Sequence, residues 1–161
     1  GAIGGSALVT KDALLPDGGL PDDAAPAGLP TSFVPARNLL FLTLAAAVAV
    51  REGARDIVTG TCQTDYSGYP DCSRGFIDAA ERAITLALPS GCGPFRVLTP
   101  LMFMTKAETV KLARRLPGCW EALAKTMTCY VGTACGVCPA CELRARGFAE
   151  AGESDPAWPL V

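Results

Sequence analysis

Four cysteines fall within thirteen residues near the end of the chain, Cys129, Cys135, Cys138 and Cys141, in the run Thr-Cys-Tyr-Val-Gly-Thr-Ala-Cys-Gly-Val-Cys-Pro-Ala-Cys. A borderline metal such as zinc takes four thiolates tetrahedrally at about 2.3 Å, and a Cys-x-x-Cys step lets neighbouring sulfurs reach one ion without strain. Gly132 and Gly136 supply the turns that this requires. Two other readings stay open on spacing alone. Disulfides or buried thiols without a ligand are one. The other is an iron–sulfur cluster, because Cys135, Cys138 and Cys141 repeat the Cys-x2-Cys-x2-Cys core of bacterial ferredoxins. The Cys-x3-Cys-Pro continuation of that motif is missing, since Glu142 to Arg146 contains no cysteine.

At 161 residues the chain is long enough for one domain with its own core, so it does not need disulfides to fold. The formal charge is -2, and only Arg114-Arg115 and the Arg144/Arg146 pair are locally basic. That argues against a nucleic-acid partner and places those arginines on solvated helix faces. The longest apolar run, Leu39 to Val50, is about twelve residues, short of the roughly eighteen that span a bilayer, so no membrane partner is expected. No secretory signal is visible, which puts the cysteines in a reducing cytoplasm and favours metal over disulfide. Histidine is absent. There is then no Ser-His or Cys-His nucleophile pair, and a four-thiolate zinc site is closed to water and substrate, a scaffold rather than a catalyst.

Residues 1–33 are rich in Gly, Pro, Ala and Asp without clear periodicity and read as a linker-like loop of a truncated chain beginning at Gly1. Leu39 to Glu52 reads as a helix capped by Asn38 and stopped by Gly53, and its apolar character on nearly all sides predicts burial. Ile57-Val58-Thr59 reads as a short strand. Phe76, Ile77, Ala80, Ala83, Ile84, Ala87 and Leu88 repeat at three and four, an amphipathic helix that Ser73 or Asp71 can cap, and Phe95 to Thr99 reads as a second strand. Strand–helix–strand is a βαβ unit with a parallel sheet and a right-handed crossover. Thr105-Lys106-Ala107-Glu108 is a capping box opening a helix through Leu116, where Pro117-Gly118 ends it. Pro139 suits the first turn of a last helix, from about Ala140 toward Phe148.

The segment from Gly60 to Cys72 follows a strand, which places it at the carboxyl edge of the sheet, where open α/β folds bind ligands. Tyr66 or Tyr69 could stack on a flat heterocycle while Asp65 or Asp71 accepts two N–H bonds from an amidine-like edge such as that of guanine. An ordinary turn, with Asp71 as a helix cap, is the plain alternative. Arg37 and Asn38 sit at a helix entrance, where phosphate or carboxylate oxygens meet backbone donors and the positive end of the dipole. Lys106 and Glu108 open another helix beside a strand end, and Cys62 and Cys72 read as small packing residues.

Phe-Val-Pro-Ala-Arg-Asn-Leu-Leu-Phe-Leu from Phe33, Thr-Asp-Tyr-Ser-Gly-Tyr-Pro-Asp-Cys from Thr64, Thr-Pro-Leu-Met from Thr99, Lys106-Ala107-Glu108-Thr109, and the cysteine run ending Cys-Pro-Ala-Cys-Glu-Leu-Arg-Ala keep one order. Together they resemble the 7-cyano-7-deazaguanine synthase family of the queuosine pathway, from about Leu14 to Gly152. The resemblance implies an α/β, Rossmann-like adenine-nucleotide α-hydrolase fold, a partial parallel sheet with flanking helices and a C-terminal zinc knuckle at 129–141. Residues 34–161 would be the C-terminal part of a single synthase domain. It also implies an ATP-dependent carbon–nitrogen ligase. ATP activates the carboxylate of 7-carboxy-7-deazaguanine, ammonia displaces the nucleotide to give an amide, and a second activation leads to the nitrile. One structural zinc per chain would bind Cys129, Cys135, Cys138 and Cys141, ATP would be a co-substrate of the full-length enzyme, and the full-length protein would be a homo-oligomer. Arg37, Asn38, Asp65, Tyr66, Ser67, Tyr69, Asp71 and Lys106 would serve the substrate.

Two features depart from that family. Its Ser-Gly-Gly-x-Asp-Ser loop, which cradles the ATP pyrophosphate, has no counterpart here, Gly4-Gly5-Ser6 being the nearest string, so the chain by itself is expected to be inactive. The five residues between Cys129 and Cys135 are fewer than relatives often carry. Two competing functions remain at this level, a fragment of an ATP-pyrophosphatase-type tRNA thiolase and a non-enzymatic zinc-knuckle interaction module.

Overall fold

A computed structural model of the chain describes residue 29 and residues 33–64, 68–130 and 132–158. They divide into two compact units, one of Val34–Phe103 and one that includes Met104–Val161.

In the first unit, α1 (Arg37–Arg51) leads into β1 (Asp56–Val58), a 3-10 turn at Pro70–Cys72, α2 (Arg74–Ala87), a second 3-10 turn at Ser90–Cys92, and β2 (Arg96–Leu98). The strands pair in parallel with Ile57 opposite Val97. This is the strand–helix–strand unit that the sequence predicts, each strand shifted or trimmed by a residue at its ends. Ser73 caps α2, its hydroxyl accepting the Phe76 N–H at 3.1 Å. Of the predicted stripe, Ile77, Ala80 and Ile84 are buried against Leu42, Ala46, Phe95, Val97 and Met102, Phe76 and Leu88 are partly buried on the same core, and Ala83 and Ala87 are exposed.

Helix α1 departs from expectation twice. Asn38 is not its cap, for the helix begins at Arg37 and the cap position is Ala36, held in the left-handed region at φ 58°. Asn38 lies in the first turn, and its N–H donates to Oδ2 of Asp71 at 3.1 Å. A carboxylate thirty-three residues away thus does what a local cap would do, which a reading of neighbouring residues cannot detect. Nor is the helix buried all round. Leu42 and Ala46 face the core, while Leu40, Phe41, Leu44 and Val48 are exposed, because a two-stranded sheet covers only one side of a helix.

In the second unit, α3 (Lys106–Arg115) opens with the predicted capping box. Thr105 Oγ1 accepts the Glu108 N–H at 3.2 Å, and Glu108 Oε2 accepts the Thr105 N–H at 2.7 Å. Gly118, at φ 76°, turns the chain into α4 (Cys119–Leu123), and Pro139 begins α5 (Pro139–Ala151), longer than predicted at both ends. Helices α3 and α5 pack closely at Gly147, where a Cβ would come within 2.6 Å of Lys106 Cγ. Trp120 meets Phe148 edge-to-face with centroids 6.0 Å apart, and the Arg114 guanidinium lies 4.2 Å over the Trp120 ring.

The left-handed Ala36 gives a test of this geometry. Relief of roughly 1–2 kcal/mol of αL strain, less about 1 kcal/mol of added chain entropy, predicts that Ala36→Gly stabilises the protein by about 0.5 kcal/mol. A urea midpoint that falls would show that Ala36 is not strained there.

Candidate functional site

The cysteine run does not continue any regular element until Pro139, and its turns bring the four sulfurs together. The Sγ atoms of Cys129, Cys135, Cys138 and Cys141 all lie within 4.8 Å of one another. Thiolates about 2.3 Å from one ion stand roughly 3.8 Å apart at the edges of the tetrahedron, and Cys135 Sγ to Cys141 Sγ is 3.9 Å. No disulfide joins any of the eight cysteines. Cys129, Cys138 and Cys141 are buried and Cys135 is half-buried. The Cys138 N–H donates to Cys135 Sγ at 3.4 Å, so the backbone begins to solvate thiolate charge. Burial raises the Cys138 thiol, but donors on Tyr130, Cys141 and Cys135 outweigh it and leave the pKa below its ordinary value. Burial pushes the Cys141 thiol up to about 12, so one of the four would stay protonated without a cation among them. The donor set, its spacing and its burial fit a metal ion.

Arg144, one turn beyond Cys141 on α5, corrects the sequence reading. Instead of lying on a solvated face it is buried, at 7% exposure. Its guanidinium donates to Oδ1 of Asp155 from Nη2 at 2.8 Å, to the hydroxyls of Thr126 and Thr128 from Nη1 at 2.8 and 3.0 Å, and to the Leu123 carbonyl at 3.3 Å. The rings of Trp158 and Phe148 lie 4.7 and 5.3 Å from its central carbon. Arg144 thus ties the chain entering the cysteine run, at Thr126 and Thr128, to the chain beyond α5. The sequence does carry a signal for it. A residue three after Cys141 in a helix shares its face.

In the other unit the sheet's carboxyl edge is knitted by side chains. Gln63 donates its N–H to the Met102 carbonyl at 2.8 Å, while its Oε1 accepts the Arg74 N–H at 2.8 Å. The Arg74 guanidinium donates to Thr99 Oγ1 at 2.8 Å and, through Nε, to Asp78 at 2.9 Å. Sequence reasoning missed Gln63 and Arg74, whose partners lie in other segments. A cavity of about 230 Å³ opens at the start of α2, lined by Gln63, Gly68, Tyr69, Pro70, Cys72 and Ser73.

Of the residues singled out for substrate, Asn38, Tyr69 and Asp71 lie in this region, while Asp65, Tyr66 and Ser67 lie outside the described residues. Asn38 Nδ2 donates to the Asp71 carbonyl at 2.9 Å and to Cys72 Sγ at 3.4 Å. Asp71 is buried at 6% exposure, and with Oδ2 on the Asn38 N–H its Oδ1 has no hydrogen-bond partner among the described residues. Oδ1 of Asp71 is thus a buried carboxylate oxygen without a partner among the described residues, while Oδ2 is engaged by Asn38. Arg37 is half-buried at the entrance of α1, and Lys106 belongs to the other unit, its stem packed on Gly147.

Residues 1–152 match the family described as queuosine biosynthesis protein QueC. The chain belongs to that family. Relatives named 7-cyano-7-deazaguanine synthase agree in extent. Those of Chromobacterium violaceum and Laribacter hongkongensis are each 54% identical over 157 residues, covering 96% of this chain. That of Staphylococcus aureus is 49% identical over 124 residues, covering 75% of the chain and 54% of its own length. The match takes in 64% and 65% of the first two relatives, so the chain spans about two thirds of their length. The cysteine cluster, the Asp71 turn and Arg144 itself fall within the span that the family model covers, while the Arg144 partners Asp155 and Trp158 lie beyond it.

Removing Arg144 strands Asp155, which is almost as buried. Loss of one partner from a buried pair costs about 3–5 kcal/mol, so Arg144→Ala should lower stability at pH 7 by that order in urea unfolding. Burial raises the Asp155 carboxyl, but the Arg144 bonds and the Ala157 N–H outweigh it and hold the pKa below the ordinary carboxylate value. A depressed folded pKa gives stability that is present above about pH 4 and lost as pH falls through the folded value. The difference between wild type and variant should shrink there. A difference that stays flat to low pH would show the pair is not ionic.

Proposed function

We propose that residues 34–161 form part of a 7-cyano-7-deazaguanine synthase with a Rossmann-like adenine-nucleotide α-hydrolase fold. Its reaction is ATP-dependent conversion of 7-carboxy-7-deazaguanine and ammonia to the nitrile, through an activated carboxylate and an amide. The observation that carries this reading is 54% identity over 96% of the chain to proteins of that name. The βαβ unit supports the fold, since its carboxyl edge holds the segment where such folds bind ligands.

The metal is zinc, one per chain, held by Cys129, Cys135, Cys138 and Cys141 in a structural role. Four thiolates close the coordination shell, and the ion would replace their protons as the centre of charge. In the other unit, the cavity at the start of α2 takes the flat deazapurine. Tyr69 offers an aromatic face, and Oδ1 of Asp71, buried beside the cavity and without a partner among the described residues, accepts one N–H of the heterocycle. Asp65, Tyr66 and Ser67 are further substrate residues on the sequence reading alone. Arg37, whose guanidinium has no partner among the described residues, meets a carboxylate or phosphate oxygen. No Ser-Gly-Gly-x-Asp-Ser string occurs in the 161 residues, so pyrophosphate binding depends on polypeptide other than this.

Elemental analysis should find about one zinc per chain, and Cys138→Ser should lose it together with the folded signal of the cysteine run. Iron with visible charge-transfer absorption would overturn the assignment. Incubated with ATP, ammonium and 7-carboxy-7-deazaguanine, the chain alone should yield no nitrile by mass spectrometry. Titration calorimetry then separates substrate recognition from folding. Asp71→Asn keeps an oxygen for the Asn38 N–H but replaces the open acceptor with a donor, and should weaken binding of the carboxy-deazapurine by about tenfold or more, the scale of one charge-assisted hydrogen bond. Unchanged affinity would remove Asp71 from the site.

A further inference from the structure

Helix α5 stops at Gly152, whose φ of 73° turns the chain back along the helix. The Gly152 N–H donates to the Ala149 carbonyl at 3.0 Å and the Glu153 N–H to the Phe148 carbonyl at 3.1 Å, so the departing chain closes the last helical turn. A segment that leaves a helix without entering another element is ordinarily solvated unless side chains tie it down. Here none of Asp155, Pro156, Ala157 and Trp158 is exposed.

Two ties hold the segment. The Arg144 guanidinium grips both oxygens of Asp155, from Nη2 to Oδ1 at 2.8 Å and from Nε to Oδ2. Oδ1 also accepts the Ala157 N–H at 2.9 Å, an aspartate turn that bends the chain at Pro156. Trp158 follows directly, and two things meet its ring. One is the Arg144 guanidinium, whose central carbon lies 4.7 Å from the ring centroid. The other is the buried cluster of Cys129, Cys138 and Cys141, on which Trp158 packs. Tyr130 and Ala140 pack on the same cluster, but they belong to the cysteine run and to the helix it enters. Among the described residues, Trp158 is the side chain on that cluster brought from beyond α5.

We propose that residues 153–158 form a strap over the metal site, with Trp158 as its cover and Arg144 as its anchor, and that the strap sets how fast the ion leaves. This rests on the reading of the four cysteines as a zinc site. Zinc leaves thiolates when a proton or a competing ligand reaches a sulfur or the ion, and both routes need access from solvent. An indole seated on the cluster narrows that access. Arg144 is no ligand but a positioning residue, three positions after Cys141 on α5. It fixes Asp155 by charge and Trp158 by stacking, while Nη1 holds Thr126 and Thr128 at the entrance to Cys129. A planar fork with a face free to stack makes all of these contacts at once, and a lysine ammonium cannot.

The 161-residue chain is loaded with zinc and mixed with excess 4-(2-pyridylazo)resorcinol, a chromophoric chelator, so that release is read as absorbance. Trp158→Ala should release zinc at least about tenfold faster, the scale of losing an outer-shell partner, and Trp158→Phe should restore most of the delay. Trp120→Ala is the structural control, because Trp120 packs on Phe148 and Arg114 in the same unit and is not among the side chains packed on the cysteine cluster. It should lower the urea midpoint without speeding release. Equal release from the parent and Trp158→Ala, or equal acceleration by Trp120→Ala, would overturn the proposal and leave the zinc assignment standing. A chain that takes up no zinc would overturn the assignment and the proposal together.

Discussion

Two parallel strands cannot be joined by a tight turn, and the crossover that joins β1 to β2 organises the Val34–Phe103 unit. Helix α2 gives its apolar stripe to the core through Ile77, Ala80 and Ile84, and with its polar residues Glu81 and Thr85 it occupies the outward donors of β2. Its first turn, fixed by Ser73 and Gln63, sets the position of the cavity and of the Asp71 turn. One helix thus serves the core, the edge and the candidate ligand site, because each uses a different side of it.

The Met104–Val161 unit solves a different problem, gathering four thiols while paying little for a buried guanidinium. Arg144 is tolerable inside because Asp155 neutralises it, hydroxyls and a carbonyl take its other N–H groups, and two rings cover its faces. Its partners come from both sides of the cysteine run. The segment holding the sulfurs is therefore bracketed before any ion binds, and the thiols themselves set a proton cost on binding, since Cys141 lies up at about 12.

Local chemistry was legible in the residues. The Thr105–Glu108 box, the Ser73 cap, the helical stripe of α2, the parallel strand pair and the convergence of the four cysteines all depend on neighbours within a few positions, or on a spacing that any reader can count. What could not be read depends on distant partners. Asn38 looks like a cap until Asp71 arrives, Arg144 looks solvated until Asp155 and Thr126 close on it, and Gln63 carries no mark of its two bonds. The apolar run of α1 misled for a related reason, since hydropathy reports the wish for burial and not whether anything covers the surface. Asp65, Tyr66 and Ser67 of the expected substrate loop lie outside the described residues.

The bond from Asn38 to Asp71 also orders events in time. It closes a loop of thirty-three residues, whereas the capping box of α3 closes over three. The entropy of loop closure makes the short link form on the timescale of the helix itself, while the long one waits until β1 and the turn after it have found their places. The first turn of α1 is then a late arrival in folding, and the helix entrance that carries Arg37 and the turn that carries Asp71 become ordered in a single step.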